Sequence, residues 1–197
     1  MTKRAFDLAV AGLALLLLSP LLLAVSVLVK IDSRGPVMFR QSRVGRGGEL
    51  FRIHKFRTMR ADSQGPAFSL ADDRRVTRVG LLLRKTKIDE LPQLIDVVSG
   101  SMSIVGPRPE VPRYVSLWPE DRRRLILSIR PGITDPASIE LRHESDLLSR
   151  AADPERYYVD VLLPHKTEMY VDYVRTRSFM TDLRVIARTT VEVTRRR

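Results

Sequence analysis

Leu8–Val29 reads LAVAGLALLLLSPLLLAVSVLV, a run of 22 residues that contains no charged side chain. A helix of about 20 apolar residues is long enough to cross the hydrocarbon core of a bilayer. Ser19 and Pro20 lie at the centre of the run. Because proline removes one backbone hydrogen bond and clashes with the preceding turn, we expect the helix to break or bend at this point.

Basic residues flank the apolar run on both sides. Lys3 and Arg4 precede it. The basic residues that follow it are Lys30, Arg34, Arg40, Arg43 and Arg46. Since basic residues favour the cytoplasmic side of a membrane, both ends are expected there, as in a re-entrant helix that enters and leaves by one face. A straight spanning helix and a buried helix of a soluble protein are the alternatives. A cleaved signal peptide is disfavoured, because the run exceeds the usual length of about 7–15 residues and no Ala-x-Ala site follows.

The rest of the chain is long enough for one ordinary domain. The sequence has 197 residues, of which 44% are hydrophobic and 29% charged, so it can bury a core. It contains no cysteine, which excludes a disulfide framework and a thiolate metal site. The three histidines are far apart, which disfavours a zinc or Ser-His-Asp enzyme. The net charge of +11 favours an anionic partner, and the apolar run favours a lipid among such partners.

A β-hairpin is predicted directly after the apolar run. Two β-rich stretches, 37–44 and 50–59, surround the glycine cluster at 45–48. Along the second stretch, the alternation of side chains places Lys55 and Arg57 on one face, about 7 Å apart. The polar segment 61–75 is long enough to act as a mobile lid.

A short helix is predicted next, between Pro92 and Gly100. Proline suits a first helical position and glycine a C-terminal cap. The predicted apolar stripe comprises Leu91, Leu94, Ile95 and Val98. Asp89 and Glu90 therefore lie just before or at the start of this helix. Further helices are expected at 118–129 and from near Pro154, Pro164 and Phe179 onward, the last one lying on the membrane or packing on the domain.

The acidic pair Asp89 and Glu90 has two interpretations. Acidic groups at a helix start are favoured by the macrodipole, so the pair can be a simple cap. A helix start also attracts phosphate, and Arg84, Lys85 and Lys87 lie just upstream. A carboxylate among cations stays ionised, and it can then bind Mg²⁺ or attack phosphorus.

Arg108 and the two cations of the predicted hairpin are the other candidates. Pro107 and Pro109 stiffen the backbone around Arg108, which suits bidentate binding of a phosphate. The alternative for Arg108 is a purely structural ion pair with Glu110. The alternative for Lys55 and Arg57 is that they are two charges on a solvent-exposed strand face without a binding role. Together with the apolar run, these residues fit phosphoryl transfer between a charged soluble donor and a lipid phosphate. A basic membrane-bound adaptor or polyanion-binding protein without catalysis is the alternative.

Six motifs occur in a characteristic order. They are Gly35-Pro-Val-Met-Phe39, Gln41-x-Arg43-x-Gly45, Phe51-x-Ile-x-Lys-Phe-Arg-Thr-Met59, Ile88-Asp-Glu-Leu-Pro-Gln93, Gly106-Pro-Arg-Pro109 and Arg130-Pro-Gly-Ile-Thr134. As a set they resemble the monotopic phosphoglycosyl transferases, the bacterial sugar transferase family. The resemblance runs from the apolar run to Thr134. Many members continue with Gly-Trp-Ala-Gln, whereas this chain continues with Asp135-Pro-Ala-Ser-Ile-Glu140, which leaves the role of this segment and the identity of the sugar open.

The resemblance implies a fold, an activity and a location. It implies an α-rich α/β protein, with a re-entrant helix-break-helix anchor (1–34), a catalytic core with the β-hairpin and amphipathic helices at the membrane surface (35–150), and a C-terminal helical extension on the core or membrane (151–197). Such enzymes transfer a phosphosugar from a nucleotide diphosphate sugar, usually a UDP-sugar, to polyprenyl (undecaprenyl) phosphate and release UMP. They act on the cytoplasmic face of the bacterial inner membrane, in contact with phospholipid, at the first membrane step of glycan assembly such as exopolysaccharide biosynthesis. No nucleic acid partner is implied, and a homodimer is left open.

The resemblance also assigns the site residues. Asp89 is expected to be the nucleophile that forms a covalent aspartyl-phosphosugar intermediate and to lie beside Mg²⁺ as a ligand, and Glu90 is expected to assist it. The substrate-binding residues that it implies are Lys55, Arg84 and Arg108, and Arg57 is added to them because it shares the predicted strand face with Lys55. Pro107 and Pro109 shape the loop around the site, and Ser19-Pro20 forms the break of a re-entrant membrane helix.

Overall fold

The computed structural model describes residues 2–61, 70 and 73–194. Its α-helices are α1 (Thr2–Asp32), α2 (Arg78–Thr86), α3 (Gln93–Ser99), α4 (Pro112–Val115), α5 (Glu120–Ile126), α6 (Pro136–Glu140), α7 (Glu144–Arg150), α8 (Pro154–Tyr157), α9 (Leu163–Thr176) and α10 (Phe179–Thr194). Its strands are β1 (Met38–Val44), β2 (Leu50–Phe56), β3 (Ser103–Val105) and β4 (Gly132–Thr134). The predicted α-rich α/β class is confirmed.

The apolar run lies within α1, a helix of 31 residues that continues through Pro20. The predicted break into two helices is therefore wrong, whereas a bend at Pro20 stays a prediction. Pro20 has no N–H to donate to the carbonyl of Leu16, four residues earlier. The hydroxyl of Ser19 donates to that same carbonyl at 2.8 Å. The Ser-Pro pair thus supplies a replacement for the hydrogen bond that the proline removes, and the helix passes through.

Both halves of α1 pack on the same body of the protein. The first contact cluster contains Ala11, Ile53, Leu94, Val97 and Met102. The second contains Val25, Val29, Phe56 and Leu83. Between these two clusters, Leu16, Leu17 and Leu21 are exposed, as are Ser19 and Pro20. The middle of the helix therefore presents apolar side chains outward, while its two ends are held against the domain.

Polar contacts hold each end of α1 in addition to the apolar clusters. Near the start, Lys3 lies 2.5 Å from a carboxylate oxygen of Asp182 in α10, and Asp7 accepts a hydrogen bond of 2.7 Å from the hydroxyl of Ser103. At the other end, Asp32 accepts a hydrogen bond of 3.2 Å from the backbone N–H of Val79 in α2. These contacts join the apolar helix to three different elements of the domain.

The predicted hairpin is confirmed. Strands β1 and β2 pair antiparallel, from Met38 opposite Phe56 to Val44 opposite Leu50. The connecting turn requires glycine, because Gly47 and Gly48 have φ values of 71° and 86°. The hairpin brings Lys55, near the end of β2, beside the turn that precedes α3.

A second, two-stranded sheet positions the loop between Gly106 and Pro109. Strands β3 and β4 are parallel, and Ser103 lies opposite Gly132. Gly106, directly after β3, lies against the start of β4, since a Cβ atom on Gly132 would lie 2.1 Å from the backbone nitrogen of Gly106. Only glycine permits this approach, which fixes the start of the loop that carries Arg108.

The largest core joins the middle of the chain to its C-terminal helices. It contains Tyr114, Trp118, Ile126, Leu148, Tyr170 and their neighbours. Helix α9 and the turn before it therefore pack on this core. The helices predicted near Pro154, Pro164 and Phe179 are all present. The face of α10 that packs inward includes Asp182 and Val185.

The apolar stripe predicted for α3 is buried only in part, since Leu94 is 8% exposed and belongs to the core. Ile95 and Val98 are 39% and 44% exposed, whereas Gln93, Asp96 and Val97 are buried. The reason is a pair of hydrogen bonds to β2: the carboxylate of Asp96 accepts one from the backbone N–H of His54 at 2.9 Å, and lies 2.6 Å from the Nδ1 atom of the same residue. These bonds turn the polar Asp96 inward and leave two apolar side chains on the outer surface.

Candidate active site

The acidic pair lies in the connection between α2 and α3. Helix α2 ends at Lys87, which adopts a left-handed conformation with φ 59° and ψ 13°. A 3₁₀ turn, Ile88–Glu90, follows at once, and α3 begins after Pro92. Helix α2 lies very close to the end of the hairpin, because a Cβ atom on Gly80 would fall 2.1 Å from the carbonyl oxygen of Thr58. The prediction that Asp89 and Glu90 precede α3 is confirmed, and Gly100 caps its end with φ 96°.

Glu90 is held between two cations from distant parts of the sequence. Lys55 Nζ lies 2.8 Å from Glu90 Oε1. The guanidinium of Arg108 donates to both oxygens, at 2.7 Å to Oε1 and 3.3 Å to Oε2. The Arg108–Glu90 pair has the bidentate geometry that makes such contacts strong and directional. Arg108 therefore pairs with Glu90 and not with Glu110, which was the structural alternative.

Burial and charge shift the pKa values of this cluster in opposite directions. Burial alone would raise the pKa of Glu90, but Arg108 and Lys55 together hold it well below its ordinary value. Burial lowers the pKa of Lys55 to about 8, although Glu90 opposes that shift. Glu90 is thus a stable anion, while Lys55 is a cation that loses its proton in mildly alkaline solution.

Asp89 differs from its neighbour in having no partner. Its side chain is 8% exposed. Its Oδ1 atom is buried and makes no hydrogen bond within the described residues. Burial raises the pKa of Asp89, and the charge of Lys55 opposes that shift. A buried carboxylate oxygen without a hydrogen-bond partner is unusual, because buried polar groups are normally hydrogen-bonded or bind a ligand.

Arg84 belongs to the same site, on the side of α2. Its Nε atom donates to the hydroxyl of Thr58 at 2.8 Å. Burial lowers the pKa of Arg84, and the charge of Asp89 opposes the shift. The sequence-based prediction did not include Thr58 among the site residues, although Thr58 directly follows Arg57 in the hairpin motif. Its hydroxyl fixes Arg84, and its carbonyl forms the close contact with Gly80.

Arg57 does not lie in this site, and the structure does not support its assignment as a substrate-binding residue. It is 5% exposed. All five of its N–H groups are satisfied by the end of α1 and the segment after it. The acceptors are the carbonyl oxygens of Val29, Ser33, Arg34 and Pro36 and the hydroxyl of Ser33. Arg57 therefore caps the C-terminal end of the apolar helix and leaves no donor for a substrate.

The structure thus brings together Lys55, Arg84, Asp89, Glu90 and Arg108, which are five of the predicted site residues. Pro107 and Pro109 flank Arg108 in the loop after β3, as expected. Most of the segment proposed as a lid, 61–75, lies outside the described residues. Among the described residues, no group of three acidic or histidine side chains could hold a metal ion by itself. The carboxylate of Asp89 is the one in this cluster that retains an unpartnered oxygen.

Comparison with known proteins gives consistent matches. A family model described as bacterial sugar transferase matches residues 1–196. A UDP-glucose:undecaprenyl-phosphate glucose-1-phosphate transferase of Caulobacter vibrioides is 39% identical over 194 residues, which cover 95% of this chain and 67% of the relative. The exopolysaccharide production protein PSS of Rhizobium leguminosarum bv. phaseoli is 40% identical over 205 residues, covering 98% and 96% respectively.

A third relative is considerably longer than this chain. The UDP-N-acetylgalactosamine-undecaprenyl-phosphate N-acetylgalactosaminephosphotransferase of Aeromonas hydrophila is 42% identical over 178 residues. The match covers 84% of this chain but 42% of the relative. This chain therefore spans less than half of the Aeromonas protein, about two thirds of the Caulobacter protein and nearly all of the Rhizobium protein.

Proposed function

This chain belongs to the bacterial sugar transferase family, and we propose that it transfers a sugar phosphate from a UDP-sugar to polyprenyl (undecaprenyl) phosphate, with release of UMP. The observation that carries the proposal is the unpartnered carboxylate of Asp89, beside a Glu90 that two cations hold in place. The names of the Caulobacter and Aeromonas relatives supply the substrate classes, and that of the Rhizobium relative supplies the exopolysaccharide product.

The reaction we propose has two displacement steps at one phosphorus atom. In the first step, an oxygen of Asp89 attacks the phosphorus that carries the sugar. The bond from that phosphorus to the oxygen of UMP breaks, and UMP leaves with the electron pair. In the second step, the phosphate oxygen of the lipid attacks the same phosphorus, and the electron pair of the aspartyl bond returns to Asp89. Two anionic substrates therefore never need to occupy the site together.

The cations around Asp89 have separate tasks in this scheme. Lys55 and Arg84 are placed to bind the phosphates of the donor, because each carries a partly buried positive charge close to Asp89. Arg108 is 30% exposed at its side chain and faces Glu90 with its guanidinium edge. Glu90 acts as the counter-ion that keeps Lys55 protonated and holds Arg108 in a fixed orientation. Preorganised charges of this kind stabilise the transition state without reorganising during the reaction.

Mg²⁺ is the cofactor that we propose for this site. Mg²⁺ usually binds one or two carboxylates together with substrate phosphates, so a full protein cage is not required. Both oxygens of Glu90 are engaged by cations, whereas Oδ1 of Asp89 has no partner, so Asp89 fits as the protein ligand. When bound, the ion would offset the negative charge of the diphosphate. Lys55, Arg84 and Arg108 remain the groups of the chain itself that orient the phosphates.

We also propose that α1 enters one leaflet of the inner membrane and that the domain lies on the cytoplasmic face. Two observations support this arrangement. Both ends of α1 contact the same domain, at Lys3–Asp182 and at Asp32–Val79. The middle of the helix, around Leu16 and Leu17, is apolar and exposed. A straight spanning helix would place its two ends on opposite sides of the bilayer and break one of these sets of contacts.

Neighbouring helices extend the apolar surface of α1. Exposed apolar side chains lie on α2 (Leu81, Leu82), on α3 (Ile95, Val98) and at the start of α10 (Phe179, Met180). Helices α2 and α3 both contact α1. Large exposed apolar patches are characteristic of membrane or protein interaction sites. We propose that these side chains rest in the interfacial region of the bilayer, which would hold Asp89 near the depth of a lipid phosphate.

The absence of cysteine from the chain makes the topology directly testable. Single cysteines in place of Thr2, Leu16 and Glu49 would be labelled with a membrane-impermeant maleimide in inverted and right-side-out vesicles. We expect Thr2→Cys and Glu49→Cys to react from the same side, the cytoplasmic one, and Leu16→Cys to be protected by lipid. Labelling of Thr2→Cys and Glu49→Cys from opposite sides would contradict the proposed anchor.

The activity is tested by UMP release from a panel of UDP-sugars, with and without polyprenyl phosphate. We expect wild-type protein to release a stoichiometric burst of UMP without the acceptor and to carry a phosphosugar adduct on Asp89 by intact mass. Asp89→Asn should abolish both signals, whereas Asp172→Asn, at an exposed position of α9, should leave both unchanged. A binding protein without catalysis would release no UMP under any condition. Turnover by Asp89→Asn near the wild-type rate would contradict the covalent route.

A further inference from the structure

Gln93 has a buried amide without a partner. The residue is 1% exposed, and its Nε2 atom makes no hydrogen bond within the described residues. Nearly all buried side-chain amides in folded proteins are hydrogen-bonded, so an exception calls for an explanation. Two such exceptions occur close together in this chain, since Oδ1 of Asp89 is also buried and unpartnered. One of these atoms is a donor and the other is an acceptor.

The backbone places these two side chains about one turn apart on one right-handed helical segment. Between them, Leu91 has φ −56° and ψ −34°, and Pro92 has φ −60° and ψ −17°, both in the right-handed helical region. The 3₁₀ turn at Asp89 therefore continues into α3 without a change of direction. The backbone hydrogen bonds at this junction span three residues, as from Leu91 to Ile88 and from Leu94 to Leu91, so Gln93 follows Asp89 by slightly more than one turn. The Cα–Cβ bond of a helical residue tilts toward the N-terminus, so the side chain of Gln93 leans over the turn that carries Asp89.

We propose that Gln93 is a positioning residue, whose Nε2 atom donates a hydrogen bond to Oδ1 of Asp89 once the donor sugar nucleotide occupies the site. This inference rests on the proposed function. Rotation about the terminal torsion of the glutamine, which is broad, is enough to bring the donor into line. Catalytic hydrogen bonds are often long in the empty site and shorten only in the complex. A carboxylate oxygen has two lone pairs, so Oδ1 can accept this hydrogen bond and still bind Mg²⁺, while the other oxygen of Asp89 is directed at phosphorus.

The same hydrogen bond has a larger effect on the second step than on the first. After the attack, Oδ1 is the carbonyl oxygen of an acyl phosphate. When the lipid phosphate displaces Asp89 from phosphorus, the electron pair of the broken bond returns to the carboxyl group and its negative charge is shared with Oδ1. No proton moves in this step. A donor already aimed at Oδ1 stabilises that charge as it develops, and makes Asp89 a better leaving group.

Single-turnover kinetics separate the two steps. The burst of UMP on mixing enzyme with UDP-sugar reports formation of the adduct, and the loss of the adduct after adding polyprenyl phosphate reports its transfer. In Gln93→Met, which keeps the size of the side chain but removes the amide, we expect adduct transfer to slow by about 10- to 100-fold. The burst should slow by a smaller factor, and the KM for the UDP-sugar should stay within about twofold of wild type. Gln93→Glu, which replaces the donor by a second anion, should be impaired in both steps.

The control is Val97→Ala, at a fully buried position of the same helix. It should lower the melting temperature, but slow both steps equally if at all. Wild-type rates for both steps in Gln93→Met would overturn the proposal, and so would an equal slowing of both steps as in the control. If Gln93→Met does not fold, Gln93→Asn, which keeps the amide but shortens its reach, is read by the same criteria. Failure of the proposed function is distinct, because wild-type protein would then give no burst.

Discussion

Replacing Glu90 by glutamine should move the alkaline limit of activity to lower pH. In the wild type, the pKa of Lys55 lies at about 8, because burial lowers it while Glu90 opposes the shift. If the protonated form of Lys55 binds the donor phosphate, activity should fall as the pH rises through about 8. Glu90→Gln removes the anion that favours the protonated form. The pKa of Lys55 then falls further, and the alkaline limb moves with it.

The distance between the charges sets the size of this shift. Lys55 Nζ lies 2.8 Å from Glu90 Oε1. Two unit charges 4 Å apart interact by about 4 kcal/mol at an effective dielectric constant of about 20, and a change of about 1.4 kcal/mol moves a pKa by one unit. Even if rearrangement and the loss of the shared contact with Arg108 cancel two thirds of this energy, the limb should move by about one pH unit.

The assay is the pH dependence of kcat/KM for UMP release between about pH 6 and 10, with each variant confirmed to be folded at every pH. Lys55→Arg serves as the second arm, because a guanidinium stays protonated over this whole range and the alkaline limb should disappear. Glu49→Gln, at an exposed position of the hairpin turn, should leave the profile unchanged. An alkaline limb that stays in place in Glu90→Gln, or that persists in Lys55→Arg, would refute the assignment to Lys55.

Three further variants test how the fold holds the site. Arg57→Met should destabilise the protein by about 3 kcal/mol, since it removes five hydrogen bonds to the end of α1, and thermal unfolding in detergent measures this loss. Gly80→Ala should cost about 1–3 kcal/mol, because the added Cβ meets the carbonyl of Thr58 at 2.1 Å and forces α2 away, and UMP release should fall with it. Lys166→Met should also cost about 3 kcal/mol, as it leaves the buried carboxylate of Glu110 without the ammonium 3.2 Å away; the same unfolding assay would show no change if this pair were unimportant.

Local patterns predicted the elements that carry the site. The glycine cluster at 45–48 between two β-rich stretches gave the hairpin, and the order of proline and glycine around 92–100 gave α3 and the position of Asp89. These features depend on a few neighbouring residues, whose conformational preferences are encoded locally. The predicted lid is the exception that stays a prediction, because most of 61–75 lies outside the described residues.

Pairings between distant residues could not be predicted in the same way. Glu90 contacts Lys55 and Arg108, which are 35 and 18 residues away, so no local spacing indicates that it bridges them. Arg57 was misassigned because strand alternation was extended past the end of β2 at Phe56, and because its acceptors belong to α1. The stripe on α3 is only partly buried for a similar reason, since the contact between Asp96 and His54 decides which face is buried.

The hydrogen bond from the hydroxyl of Ser19 to the carbonyl of Leu16 bears on the side of the membrane at which the product would be made. The hydroxyl of Ser19 occupies the carbonyl oxygen of Leu16, and both ends of the apolar helix contact the domain. With the topology proposed above, the protein would reach only the leaflet from which its helix enters, and a lipid-linked sugar made there would face the compartment that supplied its nucleotide. Export of that sugar would then require a separate flippase.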